Sequence, residues 1–360
     1  MELLRDSLNQ IQPLYEEKIE EAWQRIDNLT KPIGSLGTLE KIAARMAGIT
    51  GNLVNSRLKK NIVIMCADNG VVEEGVSACP KDITRIVTEN FTRGITGVCV
   101  FADMVQADLT VVDIGVDAEF NNTKIINKKI MRGTKNIAKG PAMEYREAVE
   151  AIEVGIAIVD ELVKKGYNLL GTGEMGIANT TTSAAVLCAL SNLEPDVVVG
   201  KGAGLTEEQY RHKIEVVKRA LDVNKPNQND PIDVLAKVGG LDIAGLCGCF
   251  IGAAKNRVPI VIDGFISSAA ALCAVRLNPK IKDYIFPSHL SAEPGAIYMM
   301  KEIGLEPMLN LNMRLGEGSG CPFAFFIIEA SQKMMRDMGS FEDANIVNNF
   351  LIDIREEKAI

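Results

Sequence analysis

Glu317 stands in the run Leu315-Gly-Glu-Gly-Ser-Gly320, a carboxylate flanked by residues with almost no side chain. A ligand can approach such a loop closely, and a carboxyl group withdrawn from water there is raised toward the range of a general base. The same run fits an exposed turn glutamate equally well. A second segment, Gly171-Thr-Gly-Glu-Met-Gly176, has the spacing G-x-G-x-x-G between an apolar run and a helical pattern over 180–190, as a dinucleotide loop would. Two features count against a dinucleotide. Asp196, at the offset of the acid that holds ribose hydroxyls, stands at the start of its expected strand instead of closing it. Glu174 places a negative charge inside the loop, where it repels a pyrophosphate. What survives is a glycine turn whose backbone N–H groups face an anion at a helix start. Gly202 and Gly204 offer another, followed by the capping box Thr206-x-x-Gln209 and by Lys213 two turns into the helix. Two glycine loops and one lysine suit a single phosphate on a nucleotide; tight turns and a surface lysine fit the same residues equally.

Other chemistries lack their usual residues. No G-x-x-x-x-G-K-[ST] loop, no G-x-S-x-G elbow and no acidic Thr-Gly loop of diphosphate-dependent phosphoribosyltransferases occurs. Ser288-His289 reads either as a base or as a hydrogen-bonded structural pair. Cys247-x-Cys249 has no histidine at ligand spacing, so no metal site is expected. The eight cysteines lie mostly in apolar surroundings and read as reduced, which places the chain in a reducing cytoplasm.

The 360 residues carry 39 Lys and Arg against 47 Asp and Glu, a net charge of −8. Nucleic-acid binders concentrate positive charge to displace counterions, so no nucleic-acid partner is expected. With 47% hydrophobic and 24% charged residues, the composition is that of a globular protein rather than a disordered or coiled-coil one. The start of the chain is amphipathic and acid-rich, without a signal-peptide core. The apolar run 243–254 falls short of the roughly 20 residues of a membrane span. No membrane association is expected.

Seven β-branched runs are expected to form strands: 61–67, 109–115, 167–171, 196–200, 258–264, 283–288 and 308–314. Most are followed by a turn and a helical pattern, which predicts an α/β fold: a mostly parallel β-sheet flanked by helices, Rossmann-like. Ligands in such sheets bind at the carboxyl ends of the strands. Asp68, Asn69, Asp263, Ser288, His289 and Ser291 fall at those ends beside the glycine loops. Helical spacing before Lys31-Pro32, and again over 341–357, predicts a small helical domain formed by the chain ends, 1–30 and 340–360, beside an α/β catalytic domain over 31–339.

Seven motifs, in order between about Leu29 and Ala330, carry a family resemblance. They are Lys31-Pro-Ile-Gly-Ser-Leu-Gly-Thr-Leu-Glu40; Ala67-Asp-Asn-Gly70 with Glu74-Gly-Val-Ser-Ala-Cys-Pro80; Gly173-Glu-Met-Gly-Ile-Ala-Asn-Thr-Thr181; Gly200-Lys-Gly-Ala-Gly204; Asp263-Gly-Phe-Ile-Ser-Ser268; Ser288-His-Leu-Ser-Ala-Glu-Pro-Gly295; and Arg314-Leu-Gly-Glu-Gly-Ser-Gly320. The chain resembles the nicotinate-nucleotide:dimethylbenzimidazole phosphoribosyltransferases. The resemblance implies transfer of phosphoribose from nicotinate mononucleotide to a lower-ligand base of cobamides, with inversion at the anomeric carbon. It also implies no metal or organic cofactor, and a homodimer.

By the same resemblance Glu317 is the general base and Glu174 a second acid near the ribose. Gly176, Asn179, Thr180, Gly202, Ala203, Gly204 and Lys213 bind the phosphate, Asp263 supports the ribose, and Ser291 and Gly316 lie near the nicotinate carboxylate. Asn69, Ser77, Pro80 and Leu315 line the acceptor pocket. Two positions depart from the family's pattern: Asn69 stands where a histidine is usual, and Cys79 precedes Pro80. Asparagine cannot titrate as histidine does, so a phenol acceptor, with a paralogous partner in a heterodimer, stands beside the benzimidazole. An NAD-dependent oxidoreductase and a non-catalytic partner subunit are the more distant readings.

Overall fold

The computed structural model describes residues 1–55, 57–347, 351–353 and 355. Its centre is a six-stranded parallel sheet made of β1 (Lys60–Ala67), β2 (Ala107–Gly115), β3 (Ile125–Asn127), β4 (Leu169–Met175), β5 (Ile260–Ile262) and β6 (Ile285–Pro287), in the order β3-β2-β1-β4-β5-β6. Every residue of β1 and β4 is buried, as befits runs covered by helices on both faces. Three helices precede the sheet: α1 (Glu2–Gln10), α2 (Glu16–Asp27) and α3 (Thr38–Thr50). α4 (Ile83–Phe91) and α5 (Gly97–Met104) lead from β1 to β2, and α6 (Tyr145–Lys164) leads from β3 to β4. Five helices separate β4 from β5: α7 (Asn179–Ser191), the single turn α8 (Pro195–Val198), α9 (Glu207–Asn224), α10 (Pro231–Val238) and α11 (Leu241–Lys255). α12 (Phe265–Leu277) joins β5 to β6, and α13 (Ala296–Ile303) and α14 (Cys321–Asp337) follow.

The α/β class and parallel sheet agree with the sequence reading; several element assignments do not. Residues 196–200 form no strand: Pro195 opens α8, where its fixed φ and missing N–H cost nothing. Residues 308–314 make only one isolated bridge, Leu309 to His289. β3, three residues at the sheet edge between polar segments, has too little apolar pattern to be read locally. β4 runs on through Met175, so Gly171, Gly173 and Glu174 sit inside a strand rather than in a phosphate loop.

Within the expected helix over 341–357, residues 341–345 and 355 form turns and 346–347 and 351–353 have no regular structure; 348–350, 354 and 356–357 lie outside the described residues. The chain start forms α1 and α2, broken around Pro13. Ala22 and Ile26 of α2, Leu29, three alanines of α3, and Met334 and Met335 of α14 make a second apolar cluster beside the main core. Arg257 ties this end down: its guanidinium stacks 3.6 Å from the Tyr15 ring centre and donates to the carbonyls of Pro13, Gly48 and Ile49. Cys247 and Cys249 are core residues of α11, which packs so tightly on α6 that a Cβ at Gly248 would overlap the Ile152 carbonyl.

Candidate active site

The strand order reverses between β1 and β4, and at such a switch point the loops diverge and leave a crevice at the carboxyl ends of the strands. A cavity of about 240 Å³ opens there, between the loops after β4, β5 and β6, the glycine turn before α9 and the loop before α14.

One side of it is acidic. Glu174, at the end of β4, and Asp242, at the start of α11, share the amide of Asn179, which donates to both carboxylates. Burial, and then the charge of Asp242, push Glu174 up to about 8, against the Asn179 hydrogen bond. Burial pushes Asp242 up to about 6. Behind them Asp263 receives the backbone N–H groups of Gly318, at 3.0 Å, and Gly320, at 2.6 Å; burial nevertheless raises it to about 7. These two bonds anchor the loop that presents Glu317.

The loop turns through three successive positive φ values, 82° at Gly316, 64° at Glu317 and 90° at Gly318. A non-glycine residue in this region is uncommon and marks a constrained position. Its backbone rests directly on the sheet: a Cβ at Gly173 would lie 2.5 Å from the Glu317 carbonyl oxygen, and one at Gly316 would lie 2.5 Å from Glu174 Oε1. The glycines of the G-x-G segment therefore serve close packing of this loop and of α14. Glu317 itself borders the cavity, half-buried, and its Oε2 has no hydrogen-bond partner. Burial raises its pKa, while the N–H groups of Val98 and Gly97, at the start of α5, act in the opposite sense.

A buried lysine lies under another part of the wall. Lys213, fully buried on α9, donates to Thr180 Oγ1 at 2.8 Å and to the Gly200 carbonyl at 3.0 Å. Desolvation brings it down to about 8, and the Glu293 carboxylate partly offsets this. A Cβ on Gly202, whose φ is 53°, would stand 3.5 Å from the lysine nitrogen, so the ammonium lies directly beneath the Gly202–Ala203 wall. The capping box of Thr206 and Gln209 forms as expected and fixes the start of α9. A desolvated ammonium under a glycine turn is suited to an anion, which would offset the cost of burying its charge.

Eleven of the expected site residues border this one cavity: Glu174, Gly176, Asn179, Thr180, Gly202, Ala203, Ser291, Gly316 and Glu317, with Ser77 and Leu315 on the remaining side. Five do not. Lys213 lies under the wall and Asp263 behind it. Gly204, with φ 118°, shapes the turn, Pro80 precedes α4, and Asn69 is buried behind Gly176 with neither amide atom hydrogen-bonded. His289 is on the wall, its Nδ1 3.0 Å from Ser288 Oγ, and burial lowers its pKa. Sequence reading missed Ile83 and Val87, an i, i+4 pair that makes an apolar strip with Cys79, and it missed Glu293. It also missed Asp242, although Gly239-Gly240 just before it marked a helix start. Among the described residues no group of three or more His, Cys, Asp or Glu is arranged to hold a metal ion.

A parallel sheet of this order, with one cavity at its switch point lined by carboxylates, a glycine turn over a buried lysine and an apolar strip, has the build of an α/β enzyme. The comparisons are narrower. The family model described as Phosphoribosyltransferase matches residues 11–346, and the chain belongs to that family. A nicotinate-nucleotide–dimethylbenzimidazole phosphoribosyltransferase of Clostridium tetani is 56% identical over 358 residues, 99% of each chain. One of that name from Acetivibrio thermocellus is 56% identical over 344 residues, 96% of this chain and 98% of the relative. The crystal structure of CobT from Thermus thermophilus matches with a TM-score of 0.89 at 37% identity, covering 92% of this chain and all of that one.

Proposed function

We propose that the protein transfers phosphoribose from nicotinate mononucleotide to 5,6-dimethylbenzimidazole, giving α-ribazole 5′-phosphate and nicotinate. The observation that carries this reading is the single cavity that has Glu317 on its wall and Lys213 beneath the Gly202–Ala203 turn of the same wall; the relatives' names supply the substrates. The donor's phosphate takes the Gly202–Ala203 turn and the start of α7, where Lys213 supplies the countercharge. The acceptor ring lies on the strip formed by Cys79, Ile83 and Val87, with Leu315 beside Glu317.

One ring nitrogen of the acceptor attacks the anomeric carbon from the face opposite the pyridinium. The bond to the pyridinium nitrogen breaks, and its electron pair stays with nicotinate. Glu317 accepts the proton from the acceptor's other ring nitrogen. The leaving ring departs neutral, so no strong general acid is required. The positive charge that grows on the sugar is favoured by Glu174 when that group is ionised. Holding two rings in line removes an entropic cost that is worth up to about 7–11 kcal/mol.

The exposed Val100 and Met104 of α5 and Phe326 of α14 support assembly as a homodimer. No helix among the described residues is long and apolar enough to cross a membrane. The test is to incubate purified protein with nicotinate mononucleotide and dimethylbenzimidazole, and separately with phenol, and to identify the nucleotide by mass spectrometry. α-Ribazole phosphate is expected. A phenyl riboside 5′-phosphate alone would replace the acceptor, and no release of nicotinate in either tube would refute the transfer.

A further inference from the structure

We propose that Glu74, gripped by Arg219 and His212 of α9, is a positioning residue that ties the acceptor wall of the cavity to its phosphate end. This rests on the reading above and adds how the two halves are held in register. Glu74 ends the 3₁₀ turn Gly70–Glu74 that follows β1. From Gly75, with φ 71°, the chain passes into Ser77 and Cys79 and then α4, the acceptor side of the cavity.

The Glu74 side chain is only 16% exposed and is fully engaged. It accepts from the Arg219 guanidinium and, at 2.7 Å, from Asn136 Nδ2; its carbonyl oxygen lies 2.7 Å from His212 Nε2. His212 and Arg219 are two turns apart and so share one stripe of α9. Lys213, the next residue after His212, faces the other way and reaches Thr180 and Gly200. One helix thus grips the phosphate end from its buried side and the acceptor loop from its outer side. Within the wall there is a matching inner tie, the Ile177 N–H donating to Thr84 Oγ1 at 3.1 Å. In-line transfer is sensitive to misplacement of about 1 Å, so a rigid link between the halves has a direct use in the reaction. Arg219 is itself half-exposed, and a pair of that kind adds little to folding stability.

The test compares full-length wild type, Arg219→Ala, Arg219→Lys and, as control, Lys139→Ala, which removes the neighbouring exposed pair on Glu73. Arg219→Ala is expected to raise the KM for dimethylbenzimidazole about tenfold and to lower kcat several-fold, with the donor KM within about twofold. Arg219→Lys should recover most of the loss, and Lys139→Ala should change nothing. Amide hydrogen exchange provides a readout that does not depend on turnover. Nicotinate mononucleotide should slow exchange over 75–82 in the wild type and not in Arg219→Ala. Equal protection in both proteins, an unchanged acceptor KM, or the same rise in Lys139→Ala would overturn the clasp. A wild type without transferase activity would instead sink the functional reading, while the exchange data still decide the clasp.

Discussion

Lys31–Glu40 and Glu174–Asp242 are both pairs of buried charged side chains, and they are built in opposite ways. Lys31 and Glu40, 7% and 1% exposed, face each other at 2.7 Å, and Glu40 also takes the Leu36 N–H at 3.0 Å. Glu174 and Asp242, 6% and 0% exposed, carry the same sign and are joined only through Asn179. The first pair compensates itself and stands among residues outside the cavity wall. The second has no cationic partner: burial raises both members, Glu174 further through the charge of Asp242, and so favours their protonated forms. Burial alone therefore does not single out a candidate site; burial without a countercharge, beside a cavity, does.

The sharpest way to break the contrast is Glu317→Gln. It keeps the side-chain shape and removes the proton acceptor, so kcat should fall about 10²- to 10⁴-fold with the donor KM nearly unchanged. Because Glu317 Oε2 has no internal partner, the melting temperature should hold or rise. Unaltered nicotinate release would remove Glu317 from the role of base. Glu40→Ala tests the other member of the comparison. It strands a buried lysine charge, so stability should drop by about 3–5 kcal/mol in urea titrations while both KM values remain as in the wild type. A stable Glu40→Ala protein with impaired binding would mean that this pair, too, belongs to the site.

The same contrast explains what could be read from residues alone. Strand β1 is an eight-residue run with a purely local signature, and the Glu317 loop declares itself by its glycines. β3 and the lost strand at 308–314 depend on sheet neighbours that no local pattern names. Gly171 and Gly173 look like turn residues, yet each makes room for something distant in sequence: a Cβ would lie 2.9 Å from Cys321 Sγ at the first and 2.5 Å from the Glu317 oxygen at the second. Gly239-Gly240 signals the helix start before Asp242, but only the tertiary placement of α11 brings that carboxylate to Glu174. Lys31 to Glu40, by contrast, carries part of the family resemblance and turns out to be a buried ion pair.

A smaller effect separates the two ends of the cavity. Lys213→Met removes the ammonium with little change of volume. Bonds to a charged donor are worth about 1.5–3 kcal/mol, so the donor KM should rise about 10- to 100-fold while the acceptor KM stays put. Since desolvation lowers the pKa of this lysine, its burial opposes folding, and Lys213→Met should be no less stable than the wild type. Equal damage to both substrates would contradict a phosphate role.

The gentlest probe is pH, acting on the protein without substrates. Glu174, Asp263 and Asp242 are raised to about 8, about 7 and about 6. From the ordinary carboxyl range up to these values, the folded protein holds more protons than the unfolded chain. Stability is therefore greatest on the acid side and is lost as pH rises through 6 to 8. Lys213, lowered to about 8, adds the opposite slope, but only between about 8 and its ordinary value of 10.5. Exposed acids held low by their partners, such as Asp117 beside Lys81 and Asp343 beside Ser340, act only in the acid range below their ordinary values. The wild type should thus unfold at a higher temperature at pH 5.5 than at pH 8. Glu174→Gln should remove much of that difference, on the order of a few kcal/mol at most. Glu40→Ala should shift the whole curve down and leave its slope intact. If Glu174→Gln runs parallel to the wild type instead, the excess proton is not held at the end of β4, and the contrast between the two buried pairs loses its electrostatic basis.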